Sequence, residues 1–448
     1  MRKDQIATAV VLLPLALAPT GCQLLKSDEW RDDGTAATDE PPAAAPAEPG
    51  FTVELPSWPL LVDDRLRIVA RQSEPGDRVN ELIAQPLTAA ADAPPHWSYR
   101  REVSSVNALA LLRPAEGNPV VAALWSDARL VGLDAFIGEV RWRSEAVLSG
   151  EVPLSFPFDP AEVTSQEVVK AVPTASGDVL VVQVDQQLIG VDAGTGEQRW
   201  QVDQPGCEDA YDTDPLSWWP VGGSIVVDAT CGLVRFRVFD PLTGAETDQY
   251  ETALEGGFVS GVQVFGCHTG SPGCEVIEHY PAEAWRGDPE WYTVRDGQLA
   301  PVDGSTRGEP EYDVWGGGSQ LHGVDVHTGK QVWEITGETH DLSEAQFFDV
   351  AVGDGAVWVA SHAWNGGGPA LVQLDPADGT VVGCQEPPPI GRPTRIGVEP
   401  GGLLVVTDRP LDSLTAWDPD DPDGTVVMLA PQPEPPEPRE HGLPDCRV

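Results

Sequence analysis

The residues best placed for chemistry lie in three acidic or thiol-bearing stretches. Glu283, Asp288 and Glu290 flank Trp285 and Trp291, and a pair of such carboxylates could do the acid–base work of a carbohydrate-active hydrolase or lyase. Cys267-His268, Cys274 and His279 offer zinc-type donors, but their spacing matches no common zinc site. The run from Asp418 through Asp420, Asp421 and Asp423 to Gly424 is dense in oxygen donors. Pro422, however, takes a position that the alternating ligands of a calcium loop would need. With 71 Asp and Glu residues in a 448-residue chain, close carboxylate pairs arise by chance. There is no Gly-x-Ser-x-Gly elbow, no phosphate-binding glycine loop and no His-Glu-x-x-His helix. His322 and His327 flank a turn and lack the helical pairing of a metal site. The sequence assigns no catalytic residue and no metal ligand.

What would position any such groups is a recurring hairpin. Its best copy is Ile189-Gly-Val-Asp192-Ala-Gly-Thr-Gly196-Glu-Gln-Arg-Trp200. Asp192 can cap the turn by accepting backbone N–H groups, Gly196 can supply the positive φ, and Trp200 sits on the outgoing strand, where its ring can pack on a neighbour. The pattern returns with Asp134, Gly138 and Trp142, and again with Asp325, Gly329 and Trp333. Worn copies carry Asp240 with Gly244 and Asp375 with Gly379. A hairpin this short cannot bury its own faces, so repeated copies must stack on one another.

The pattern resembles the PQQ-like repeat of β-propellers, and the resemblance spans most of residues 55–430. It implies an all-β chain of four-stranded antiparallel blades. Seven are counted, or eight if Glu290 to Val302 makes a blade of its own. Blade one would use Arg65–Arg71 and Glu81–Leu87, with Trp97 as its docking tryptophan. The last blade would use Leu403–Thr407, Leu414–Trp417 and Thr425–Leu429, with the Asp418–Gly424 run as its repeat turn. The repeat is shared by quinoprotein dehydrogenases and by a lipoprotein of outer-membrane β-barrel assembly. It therefore speaks for fold more than for activity. A PQQ-dependent dehydrogenase is one alternative reading. The chain lacks the adjacent cysteine pair that many such enzymes place over the quinone, and it lacks a Cys-x-x-Cys-His haem site. No cofactor is assigned.

The chain ends point to export. Arg2 and Lys3 precede an apolar run from Ile6 to Ala18, too short for an ordinary membrane span. Pro19-Thr20-Gly21-Cys22 then resembles the lipobox of bacterial lipoproteins, with proline where leucine is usual, and implies lipidation at Cys22. The expected organisation is a signal peptide over 1–21, an acidic Pro/Ala-rich tether over 22–51, the propeller over 52–430 and an acidic Pro-rich tail over 431–448. The formal net charge of −44 disfavours nucleic acid as a partner. Setting Cys22 aside leaves Cys207, Cys231, Cys267, Cys274, Cys384 and Cys446, an even number that reads as disulfides in an exported chain. Proximity favours Cys207–Cys231, Cys267–Cys274 and Cys384–Cys446, although sequence alone does not fix the pairing.

Long insertions between repeats, at Ser144–Val163, Asp203–Ser217 and Cys267–Ser319, should collect on the face opposite the repeat turns, joined by the loop His362-Ala-Trp364-Asn365. They carry Tyr211, Tyr280, Trp285, Trp291, Tyr292, Tyr312 and Trp315, with Trp218 and Trp219 at the end of one insertion. Aromatics among carboxylates and glycines suit a recognition surface, and the bland alternative is that they pack the insertions onto the rim. The function expected is a non-catalytic, membrane-anchored binding or scaffold module outside the cytoplasm, with an envelope protein or a glycan as partner. The candidate contacts are Trp285, Trp291, Trp315, His362, Trp364 and Asn365.

Overall fold

A computed structural model describes residues 32–144 save 46, 74–78 and 103, and 168–251 save 185–186, 204–216 and 232–233. Beyond those it describes 262–265, 276–279, 290–301, 312–316, 320–325, 330–336, 347–361 save 354, 370–385, 388, 395–399, 401–408 and 425–433. The expected signal peptide over 1–21, Cys22, the Asp418–Gly424 run and the tail beyond 433 lie outside the described residues.

The described strands fall into eight antiparallel sheets, six of them four-stranded. The chain enters with β1 (Asp32–Thr35) and β2 (Thr52–Leu55). The first sheet follows as β3 (Leu60–Val62), β4 (Leu66–Gln72), β5 (Val79–Pro86) and β6 (Trp97–Arg101). The second is β7 (Val106–Leu112), β8 (Val120–Trp125), β9 (Leu130–Asp134) and β10 (Val140–Ser144). Six more sheets span 169–203, 218–251, 262–301, 312–336, 347–385 and 395–429. Middle strands such as Val179–Val184 are buried on both faces, which is why they read as unbroken apolar runs.

Apart from β1 and β2, each sheet is laid down strand by strand, so neighbours in sequence are neighbours in space. Buried apolar clusters join sheets one and two, two and three, three and four, four and five, six and seven, and seven and eight. A further cluster joins the eighth sheet back to the first, through Val53, Leu55, Leu403, Val405, Val426 and Met428 against Leu61, Val69 and Ile83, with Trp58 between them. The sheets thus close on themselves. The closing device is β2, which pairs with Val426–Leu429, Thr52 opposite Leu429 and Leu55 opposite Val426.

Four expectations are corrected. The acidic stretch 22–51 is not a free tether from Asp32 onward. β1 adds a fifth strand to the open edge of β6, because its carboxylates meet arginines there. The last sheet takes its fourth strand from β2, so Asp418–Gly424 falls in the connection between its second and third strands and is not the repeat turn. Glu290–Arg295 and Gln298–Pro301 pair around Asp296 and Gly297, whose φ values of 53° and 76° make a two-residue hairpin, and with Val262–Phe265 and Val276–His279 they form a separate fifth sheet. Trp291 and Tyr292 therefore lie in a strand, as do Tyr312 and Trp315 (Tyr312–Gly316), and not in insertion loops.

Because the strands alternate in direction, first-to-second and third-to-fourth turns share one face. Second-to-third loops and the links between sheets share the other. The strands ending at Ser144, Asp203, His279, Pro301, Thr336, Ser361 and Thr407, which precede the long connections, all finish on that second face. The strands ending at Pro86 and Phe265 finish instead on the turn face, and two further long connections leave from there, the second of them carrying Cys267 and Cys274.

Candidate functional site

The repeat turns are built alike. Asp192 Oδ1 accepts the N–H groups of Gly194 and Thr195, each at 2.9 Å, and the Thr195 hydroxyl at 3.1 Å. The Gly196 N–H closes the turn on the Asp192 carbonyl at 2.9 Å, with the glycine at φ 72°. Asp240 repeats this set with Leu242 and Thr243, and Asp134 with Phe136 and Ile137. Asp375 accepts the Ala377 N–H at 2.8 Å. Burial alone would raise the Asp192 carboxyl. Arg199 and the turn N–H groups outweigh it and hold the group below the usual carboxylate range.

Each tryptophan then locks its sheet to the next. Trp142 donates its indole N–H to the Ala193 carbonyl at 2.9 Å, Trp200 to Pro241 at 2.7 Å and Trp333 to Pro376 at 2.8 Å. In every case the acceptor is the residue after the turn aspartate of the following sheet. The ring lies between two glycines. A Cβ on Gly190, in the same hairpin, would come 2.1 Å from the Trp200 ring, and one on Gly244, in the next sheet's turn, 2.7 Å. Gly132 and Gly196 enclose Trp142 likewise, and Gly323 and Gly379 enclose Trp333. Trp97 does the same for the first sheet, donating to Ala135 at 3.0 Å and lying against Gly138. Only residues without a Cβ permit this approach. The side chain of Asp325 and Gly329 lie outside the described residues.

Residues 113–264 match a family model described as outer membrane protein assembly factor BamB. The chain folds as a β-propeller, and residues 113–264 match the PQQ-like repeat. Among solved structures, BamB from Moraxella catarrhalis is 14% identical with a TM-score of 0.47, covering 86% of this chain and 98% of that one. The propeller domain of Cps50 (Swd1) from Myceliophteria thermophila is 10% identical with a TM-score of 0.39, covering 88% of this chain and 100% of that one. No curated protein sequence matches.

The propeller's outer strands carry a second regularity. The third-to-fourth pairing slips by one residue at the same place in five sheets, leaving Arg141, Arg199, Thr247, Val332 and Val382 as the extra residue of a β-bulge. Arg141 and Arg199 reach back to the aspartate of their own turn, Asp134 and Asp192. Thr247 donates its hydroxyl to the Gly297 carbonyl of the next sheet at 2.6 Å. Val332 and Val382 have no polar group to turn inward and stand 43% and 46% exposed on adjacent sheets. An apolar strip of rim results where the other sheets are charged or polar.

The aromatic candidates are placed as follows. Trp285, His362, Trp364 and Asn365 lie outside the described residues; Trp291 and Trp315 lie in strands whose side chains at those positions are also outside them. Trp218 is fully buried, donates to Gln183 Oε1 at 3.2 Å and carries the Lys170 ammonium 4.8 Å from its ring centre, so it packs the sheet and is no surface contact. Tyr292 is half-buried against Tyr250, with ring centres 4.8 Å apart. Glu283 and Asp288 are outside the described residues, as are Cys207, Cys267, Cys274 and Cys446. Cys384 is disulfide-bonded. The chain after the last strand crosses to that neighbourhood. The Gln432 N–H donates to Gln385 Oε1 at 2.9 Å, and Pro433 covers Gly383. Among the described residues, no three His, Cys, Asp or Glu side chains converge as a metal site.

The first sheet departs from the repeat: buried Arg67 organises its third-to-fourth connection, and buried Arg101 ties the end of β6 to the second sheet. Arg67 is fully buried and donates to the carbonyls of Leu87 at 3.0 Å and Ala89 at 2.7 Å, and to Gln85 Oε1 at 3.1 Å. Gln85 extends the clasp to Ala93 O at 2.7 Å. Here a cation gathers carbonyls where elsewhere a carboxylate gathers N–H groups. Desolvation pulls the guanidinium down to about 10, so it stays charged at neutral pH. Arg101, also fully buried, grips Asp127 with two bonds of 2.7 and 2.8 Å. Burial would raise the Asp127 carboxyl, but Arg101 outweighs that and lowers it. No pattern in the sequence marks these two arginines as different from their surface neighbours.

Proposed function

We propose that this propeller is a lipid-anchored, extracytoplasmic binding or scaffold module that holds an envelope protein on the face formed by its long connections. The observation carrying this reading is the match of residues 113–264 to the assembly-factor family model, set on a ring whose repeat turns share one face and most of whose long connections leave from the other. The turn face is committed to internal bonds, since its aspartates and glycines hold turns and tryptophans. The opposite face has no such duty in the repeat, and its connections carry Trp285, Trp364 and His362. A rigid ring presenting aromatic anchors among carboxylates and glycines is a low-entropy way to build a partner surface. The export signal and Cys22 supply the compartment and the anchor.

Crosslinking in intact cells followed by mass spectrometry tests the reading. An envelope protein should crosslink through the long-connection face, and Trp285→Ala or Trp364→Ala should lose it. Crosslinks confined to the turn face, or unaffected by both variants, would refute this choice of surface. A glycan as ligand is the other outcome of the same experiment. A dehydrogenase would instead show dye-linked oxidation when the protein is given PQQ and Ca²⁺.

A further inference from the structure

Within the stretch that composition marks as a tether, residues 32–50 are held to the ring at several points. β1 pairs with β6 over four residues, Asp32 opposite Arg101 and Thr35 opposite Ser98. Asp32 bridges two sheets, accepting the Tyr99 hydroxyl of β6 at 3.0 Å and pairing with Arg143 of β10. Asp33 pairs with Arg100 at 3.4 Å. Gly34 lets the strand in close, because a Cβ there would sit 2.8 Å from the Ser98 carbonyl. The chain then crosses the turn face. Ala37 N–H donates to Ile137 O at 2.9 Å, Ala45 N–H to Asp64 O at 3.4 Å and Gly50 N–H to Ala430 O at 3.1 Å before β2 begins.

Direction matters here. β6 runs from the turn face toward the long-connection face, and β1 is antiparallel to it. Asp32 therefore stands at the outer corner of the first sheet, on the long-connection side. A free tether from position 22 to β2 at 52 could reach about 100 Å, at roughly 3.5 Å per residue. With β1 docked, the reach from position 22 to Asp32 is about 35 Å. The charge is also uneven. Residues 52–144 hold ten arginines against 12 carboxylates, whereas residues 145–448 hold 13 basic against 51 acidic groups. The docked strand thus attaches the near-neutral sector of the ring, and the sheets across the ring are the ones an anionic bilayer repels.

We propose that residues 32–50 are a positioning strap that stands the propeller on an anionic lipid surface with the outer corner of the first sheet nearest the lipid and the acidic sheets farthest from it. This rests on lipidation at Cys22, the anchor in the function proposed above. It sets which partners the long-connection face can reach: those within a short height of the bilayer.

The test uses the full lipidated chain on vesicles containing phosphatidylglycerol, labelled at one added thiol and read against a headgroup-bound quencher. Glu102→Cys marks the end of the first sheet's outer strand, and Gln298→Cys marks the fifth sheet across the ring. The Glu102 label should be quenched several-fold more than the Gln298 label. Gly34→Val, which changes no charge, and Asp32→Lys with Asp33→Lys, which reverses two, should each release the strap and bring the two labels within twofold. Equal quenching in the unmodified strap, or an unequal pattern that survives both releases, overturns the proposal while leaving the anchor intact. Failure of the chain to associate with vesicles, or association that survives Cys22→Ser, overturns the anchor and the strap together.

Discussion

Replacing Trp142 by alanine measures how strongly one sheet is locked to the next. The ring is 6% exposed, lies between Gly132 and Gly196, and donates one hydrogen bond at 2.9 Å. Truncating a buried tryptophan costs about 3–5 kcal/mol, whereas Trp142→Phe, which keeps most of the packing, should cost about 1–2 kcal/mol for the lost bond. At roughly 2 cal/mol/K of unfolding entropy per residue, a ring of this size loses about 1 °C of Tm for each ~0.8 kcal/mol. Calorimetry should therefore show a fall of about 5 °C for Trp142→Ala and about 2 °C for Trp142→Phe. Gly132→Ala attacks the same contact from below, since its Cβ would come 2.1 Å from the ring. In the double variant Trp142→Ala with Gly132→Ala, the glycine's effect should vanish, because the ring it would strike is gone. Strictly additive losses, or an alanine variant no less stable than the phenylalanine one, would refute the lock.

Glu399 sits 5% exposed in the first strand of the last sheet, and burial pushes its carboxyl up to about 7 against a hydrogen bond from Trp58. A folded-state value above the unfolded one means stability that is fully present below pH ~4.5 and lost as pH rises through about 7. Glu399→Gln should therefore gain of order 3 kcal/mol on the wild type between pH 5 and pH 8 in urea titrations, and a constant difference across that range would sink the assignment. Removing one partner of the Arg101–Asp127 pair strands a buried guanidinium, so Asp127→Ala should cost about 2–3 kcal/mol and Arg101→Met with Asp127→Ala less than that; equal losses would mean that the pair is not what holds β6. Val382→Arg should form the ion pair to its turn aspartate that Arg199 makes, shift stability by no more than ~0.5 kcal/mol, and show by pull-down whether the apolar rim contributes to partner binding.

Much of the ring was legible because its signals are local. Asp192, Gly196 and Trp200 lie within nine residues, and each does in the structure what its chemistry allows: cap, turn and dock. The closing strand was not legible, since Thr52–Leu55 pairs with Val426–Leu429 at the far end of the chain, and no local pattern encodes a partner that distant. The fifth sheet was half-legible: Asp296–Gly297 between Glu290–Arg295 and Gln298–Pro301 is a strong hairpin signal, but aromatics such as Trp291 and Tyr292 suit a binding loop as well as a strand. Among the candidate contacts, strand positions for Trp291 and Trp315 follow from the same β-forming residues that flank them.

The strap shows why composition misled. A low apolar content means that a segment cannot make a core of its own, and residues 32–50 do not. It does not mean that the segment stays unbound, because an existing sheet edge supplies backbone partners without asking for apolar surface. β6 offers that edge, and Arg100 and Arg143 on the neighbouring strands favour an acidic strand over any other. The arginines of a chain this acidic are scarce, with ten of them between 52 and 144, so their concentration beside the entry point is the physical signal that composition averaged away. Charge placement, more than net charge, sets where an acidic segment of this propeller can rest.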